Sequence, residues 1–232
     1  MKKFFTLIAA VAMAASMNAQ GTYAVQEGDN VKAGDQITSV ENITLTYMEK
    51  AGTDYAAVKK QTNWADADFG AYVCGKSNGK LVSGAEPTGC VYKFETAKAG
   101  SVTAAVQLNA DKGFHILDAE FAEVAPASYN LPSAKDGDSQ KFTQNEKGEN
   151  IIEAKSNGTV TFNVAEGGTY YVLAAGTKMG FFGFKYEAGT STGISSIEAA
   201  AKNDGKTYNM AGQQVSGSFK GLVIKNGKKF VK

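Results

Sequence analysis

Two carboxylates and an aromatic ring lie together in the stretch NWADADFG. Asp66 and Asp68 stand two residues apart, so an extended backbone points both the same way, at a spacing that paired-carboxylate glycoside chemistry uses. The same oxygens suit Ca²⁺, as do those of Asp136 and Asp138 in KDGDSQ. Solvated loop acids are the simpler reading of both pairs. Trp64, the single tryptophan, precedes the first pair, and Tyr72 follows it. A sugar offers an apolar C–H face to such a ring and hydroxyls to such acids, so Trp64, Asp66, Asp68 and Tyr72 are the candidate contacts for a carbohydrate. Burial of Trp64 in the core is the competing reading.

Other chemistries find less support. GAYVCGKS, residues 70–77, fits G-x-x-x-x-G-K-[ST] letter for letter. A phosphate loop needs a buried strand before it and a helix after it. Here a polar, acidic segment precedes, a turn signal follows, and AYVC between the glycines suits a strand, so no nucleotide is expected. GTSTG, residues 189–193, fits G-x-S-x-G, but that elbow requires a later histidine, and the only one, His115, lies upstream. Flanked by Phe114 and Ile116, His115 reads as one position of a strand rather than as a ligand or general base. No enzyme activity and no resident cofactor are expected, with structural Ca²⁺ left open.

The first nineteen residues carry Lys2 and Lys3, then an apolar run from Phe4 to Ala15, then small and polar residues to Ala19. This is the pattern of a secretory signal peptide, and its apolar run is shorter than the ~20 residues that cross a bilayer. A secreted or outer-surface protein without a transmembrane segment is expected. Cys74 and Cys90 lie about fifteen residues apart in a chain leaving the reducing cytosol, so a disulfide is expected, worth roughly 3 kcal/mol for a loop of that length. Lys+Arg total 24 against 23 Asp+Glu, giving a net charge of +1 and no broad field for nucleic acid or anionic lipid. Every basic residue is Lys, so no planar guanidinium fork is available for phosphate or carboxylate.

The elements that must position these residues are strands. ITSVENITLTYM, GCVYKFET, GSVTAAVQL, GTVTFNV, GTYYVLAAG and KMGFFGFKY are short apolar and β-branched runs separated by turn formers, the pattern of an all-β sandwich. In TVTFNV, Val160, Phe162 and Val164 share one face, while Thr159, Thr161 and Asn163 share the other. Strict alternation in KMGFFGFKY sets Phe181 on one face and Phe182, Phe184 and Tyr186 on the other, the composition of a strand buried on both. Residues 55–60 are open to a short helix. SNGKLVSGAEPTG and residues 133–150 read as surface loops, the second either a binding loop or disordered. Asn226-Gly227 between LVIK and KKFV is a strong hairpin signal. The expected organisation is a signal peptide at 1–19, a β-sandwich at 20–188, and a linker with a small C-terminal β module at 189–232.

Two resemblances add to this. Residues 158–187, with CVYKFETAKAGSVTAAVQLNADKGFHILD, resemble the galactose-binding-like jelly-roll domains of secreted Bacteroidota proteins, some of them attached to polysaccharide-degrading enzymes. The resemblance implies a jelly-roll sandwich and a polysaccharide or glycan as partner. The tail TYNMAGQQVSGSFKGLVIKNGKKFVK is similar to type IX C-terminal sorting modules through Tyr208, Gly212, Val215, Lys220-Gly221 and its basic hairpin. It has GLVI where GVYIV is usual, and it implies secretion machinery as a partner. A non-catalytic carbohydrate-binding surface protein is therefore expected first. A structural or adhesive surface protein comes second, and a carboxylate-dependent glycan-active enzyme third.

Overall fold

A computed structural model describes residues 20–49, 55–60 and 68–189, together with four short strands between 207 and 231. The expected signal peptide lies outside these residues. Contacts divide the chain into two compact units, Met1–Thr190 and Ser191–Lys232.

The strands of the first unit, numbered along the chain, begin with β1 (Gln20–Ala24), β2 (Gln36–Ile37), β3 (Ile43–Met48), β4 (Ala56–Lys60), β5 (Ala71–Cys74), β6 (Lys80–Val82), β7 (Ala85–Thr88), β8 (Val91–Thr96) and β9 (Gly100–Leu108). They continue with β10 (Phe114–Leu117), β11 (Ser128–Pro132), β12 (Ser139–Gln140), β13 (Thr143–Gln144), β14 (Asn150–Ile151), β15 (Ser156–Val164), β16 (Thr169–Ala174) and β17 (Gly180–Ala188). Two antiparallel sheets form a β-sandwich. The first runs β12-β11-β15-β9-β17-β5-β4, with β1 also on β17, and the second runs β13-β14-β10-β16-β8-β3-β2. From β8 to β10, and again from β15 to β17, successive strands alternate between the sheets, so each long strand brings an apolar face to the shared interior.

That interior holds Leu45 and Tyr47 from β3, Tyr92 and Phe94 from β8, Phe114 and Ile116 from β10, and Val172 from β16. Opposite them lie Val102, Ala104 and Val106 of β9, Val160 and Phe162 of β15, and Phe181, Phe184 and Tyr186 of β17. Burial of each large apolar side chain stabilises the fold by roughly 1.5–3 kcal/mol before conformational entropy is subtracted. The rings interlock: Tyr92 stacks on Phe181 at 4.4 Å between centroids, and Phe94 meets Phe184 edge-on at 5.3 Å.

The alternation expected in β15 is present: Val160, Phe162 and Val164 are buried, whereas Asn163 is exposed. That expected for β17 is corrected. The register slips between Phe181 and Gly183, and this bulge sets Phe181, Phe184 and Tyr186 on the inner face. Phe182 goes alone to the outer face, where it packs with Phe69 and Ala105. Gly183 makes the bulge possible, because its φ is 136° and an added Cβ would meet the carbonyl oxygen of Tyr23 at 2.0 Å.

Three further expectations are revised. Residues 56–60 form β4, paired with β5, because an available sheet edge outweighs a local helical preference. SNGKLVSGAEPTG contains the hairpin β6–β7, which turns through Ser83 and Gly84, with Gly84 at φ 65°. Residues 133–150 are ordered by short pairings and turns: Ser133 N–H donates to Asp138 O at 2.7 Å, Gly137 N–H to Ser133 O at 2.8 Å, and β13 pairs with β14.

The second unit contains β18 (Thr207–Asn209), β19 (Gln214–Val215), β20 (Leu222–Lys225) and β21 (Lys228–Val231) in the order β19-β18-β20-β21. Lys225 pairs with Lys228, closing the hairpin expected around Asn226-Gly227.

Candidate functional site

A polar cavity of the sandwich is built where β3 ends. Tyr55 donates its hydroxyl to Met48 O and anchors the strand end that presents Glu49. Gly75 passes directly over it; a Cβ there would lie 2.5 Å from Glu49 Oε1 and 2.8 Å from Cys90 Cβ, so only glycine allows the approach. Ser77 N–H donates to Glu49 Oε1 at 2.8 Å, and Glu49 Oε2 is buried with no hydrogen-bond partner among the described residues. The loop is pinned beyond this point, since Gly79 N–H donates to Thr177 O at 2.8 Å and Gly176 N–H to Gly79 O at 2.9 Å. Across the cavity the β6–β7 hairpin contributes Lys80, Glu86, Pro87 and Thr88. Tyr171 donates to Glu86 Oε1 at 2.9 Å. Burial, reinforced by that carboxylate, pushes the Tyr171 hydroxyl up to about 12.

The recess is open to solvent and has a volume of about 440 Å³, with Met48 and Pro87 as apolar wall and two carboxylates, one amine, Asn78, Ser77 and Thr88 as polar lining. Such a cavity can accept several hydroxyl or amine hydrogens at once, and its size is within the range of small-molecule sites. Sequence reasoning missed Glu49 and Glu86 because they are 37 positions apart, in segments read as a strand end and a loop. The glycine at 75 beside a cysteine was the one local hint of a close approach.

Of the candidates read from sequence, Trp64 and Asp66 lie outside the described residues. Asp68 and Tyr72 are brought to a common apolar patch on the outer face of the first sheet, and neither lines the cavity. Asp68 pairs with Lys185 Nζ at 2.8 Å, and that amine also lies 5.4 Å from the Phe69 ring centroid. Tyr72 is half-buried and packs on Phe182 at 5.3 Å; burial first, then Cys74, raises its hydroxyl above the ordinary value. Asp136 and Asp138 are exposed, and Asp136 Oδ1 accepts Asp138 N–H at 3.1 Å, the geometry of a side chain that closes its own turn. That contact, led by the Asp138 N–H, holds Asp136 below the usual carboxylate value.

The expected Cys74–Cys90 disulfide is corrected: both are free thiols. Their side chains are hydrogen-bonded to each other, and Cys90 Sγ also accepts Gly75 N–H at 3.3 Å and donates to Met179 O at 3.3 Å. The buried sulfur thus serves as a hydrogen-bonding centre. The Cys74 contact leads the interactions that draw Cys90 below the ordinary thiol value, against burial, which raises it.

Residues 71–74 of GAYVCGKS are β5, and β6 follows rather than a helix, so a phosphate-cradling loop is not built here. His115 does occupy a strand position, in β10. Of GTSTG, only Gly189 is described.

Fold and cavity together define an antiparallel β-sandwich with a polar recess walled by two carboxylates. No protein-family model matches the chain, and no curated protein matches it.

Proposed function

We propose that this is an exported, non-catalytic surface protein that binds a glycan in the cavity between Glu49 and Glu86. The observation that carries the reading is the convergence of Glu49 and Glu86 on one recess, the first fixed by Ser77 N–H and the second by the Tyr171 hydroxyl. Carboxylates that line one recess gain from a ligand that brings hydroxyl or amine hydrogens. Glu86, presented by a hairpin and braced by Tyr171, supplies a second acceptor, and Lys80 supplies a donor. The likeness of residues 158–187 to galactose-binding-like jelly-roll domains supports a sugar as ligand. The likeness of the basic tail to type IX sorting modules, and the leader-like first nineteen residues, support display at the cell surface.

The test is a glycan array followed by calorimetric titration of the strongest hit. Glu49→Gln and Glu86→Gln should each weaken binding by on the order of 10-fold or more, as expected on losing a hydrogen bond to a charged acceptor. Binding that survives both substitutions would remove the cavity from the proposal. Absence of any glycan signal would favour a structural or adhesive role.

A further inference from the structure

The first strand of the sandwich begins at Gln20, immediately after Ala19, where the leader-like segment ends. β1 lies antiparallel on β17, with Gln20 opposite Glu187, Gly21 opposite Tyr186 and Tyr23 opposite Phe184, and it pairs with no other strand among the described residues. The phase of this ladder is fixed at its far end, where Val25 N–H donates to Phe182 O at 2.8 Å. Hydrogen-bonded and non-hydrogen-bonded pairs alternate along an antiparallel ladder, so Tyr23 and Gly21 bond to β17 while Gln20 does not. The Gln20 nitrogen therefore points away from β17, toward the open edge of the strand. The side chains alternate too. Gly21 faces the interior, where an added Cβ would meet Val40 Cγ1 at 2.5 Å, and Tyr23 packs on the core. Gln20 stands on the opposite face and is exposed.

We propose that Gln20 is a modification site: once cleavage after Ala19 makes it the first residue, it cyclises to pyroglutamate. The inference rests on the leader reading of residues 1–19 and adds to it the chemistry of the new chain start. A glutamine in first place carries its own electrophile, because its α-amine reaches Cδ of the side-chain amide in a five-membered ring. The bond from the α-nitrogen to Cδ forms, the bond from Cδ to Nε2 breaks, and ammonia leaves with one proton taken from the amine. No oxidant, cofactor or second reactant is consumed. Ring closure needs a free amine and a side chain able to swing back onto it, and β1 supplies both: the nitrogen is not held by the ladder, and the side chain is in solvent. The acid opposite on β17, Glu187, is exposed, so an ion pair with the free amine opposes the reaction only weakly. The lactam has no charge and no primary amine, so a chain finished in this way resists aminopeptidases at the start of its first strand.

The experiment uses the full chain, expressed with its own leader in an exporting Gram-negative host. The intact mass is read at harvest, and the peptide 20–32 that a lysine-specific protease releases after Lys32 is sequenced by tandem mass spectrometry. The expected peptide is lighter by one ammonia than the unmodified sequence. It should resist stepwise N-terminal degradation until an aminopeptidase specific for pyroglutamate has opened it. Gln20→Asn keeps a side-chain amide but would need a four-membered ring, so its peptide should show full mass and a free amine. A chain that starts at Gln20 with a free amine overturns the proposal and leaves the leader reading standing. A chain that starts elsewhere, or is not cut, overturns both. A blocked peptide from Gln20→Asn also overturns the proposal, since the block is then not the lactam.

Discussion

The hydroxyl of Tyr92 donates to the carbonyl oxygen of Met179 at 2.7 Å, both residues being fully buried. Cys90 Sγ reaches the same oxygen at 3.3 Å and lies 3.5 Å from the Tyr92 hydroxyl, so the three groups form one interior network. Tyr92→Phe keeps the ring on Phe181 and removes the stronger donor. A loss of about 1–3 kcal/mol in chemical denaturation is expected, with the midpoint shifted and the slope unchanged. Cys90→Ala on the Tyr92→Phe background should cost more than the sum of the single changes, by about 0.5 kcal/mol or more.

Gly183→Ala tests the bulge that directs Phe182 outward. The substitution meets both a positive φ and a backbone oxygen 2.0 Å from the new carbon, so β1 must separate from β17. Fast amide exchange across residues 21–24 and a lower midpoint are the expected readouts. Gly137→Ala, with φ 81° and open space around it, serves as the control and should cost only about 1 kcal/mol.

Alkali should unfold the protein sharply. Burial raises Tyr23 to about 12, and burial lifts Tyr47, Tyr55 and Tyr92 further. For Tyr92 the buried neighbour Cys90 adds to the effect of burial. The sign follows from proton counting: with the folded pKa above the unfolded value of 10.0, the unfolded chain releases the proton first. Stability from these groups is complete below pH 10 and falls as pH rises through the folded values, by about 1.4 kcal/mol per pH unit for each tyrosine. Denaturation midpoints measured from neutral pH upward should stay level and then drop steeply. A flat profile through about pH 11 would contradict the buried assignments.

Asp68→Asn removes the partly solvated pair with Lys185, which should itself contribute at most about 1 kcal/mol to stability. If the glycan sits at Glu49 and Glu86, its affinity should also be unchanged in this variant. Parallel titration of Asp68→Asn and Glu86→Gln therefore separates the outer patch from the cavity.

The sandwich was legible wherever one face of a strand is solvated. Val160, Phe162 and Val164 announce β15 because every second side chain must leave water. Phe182 was misplaced because its direction depends on a bulge at Gly183, where the carbonyl of Tyr23 crowds from a strand about 160 positions earlier. The β6–β7 hairpin was hidden because β6 is exposed throughout and buries no face to leave a pattern. His115 was placed correctly in a strand, yet its partners arrive from 8 and 34 positions downstream through a fold-back and a hairpin, which no local window registers. Glu49 and Glu86 escaped for the same reason: their meeting is a product of tertiary closure.

The two sheets have four ends, and at three of them, among the described residues, stands a strand of only two residues: β12, β13 and β2. So short a ladder exposes too few free amides and carbonyls to template another chain. Contacts between copies at these three ends can thus form side by side without zipping into fibres, whereas the fourth end, β4, is five residues long.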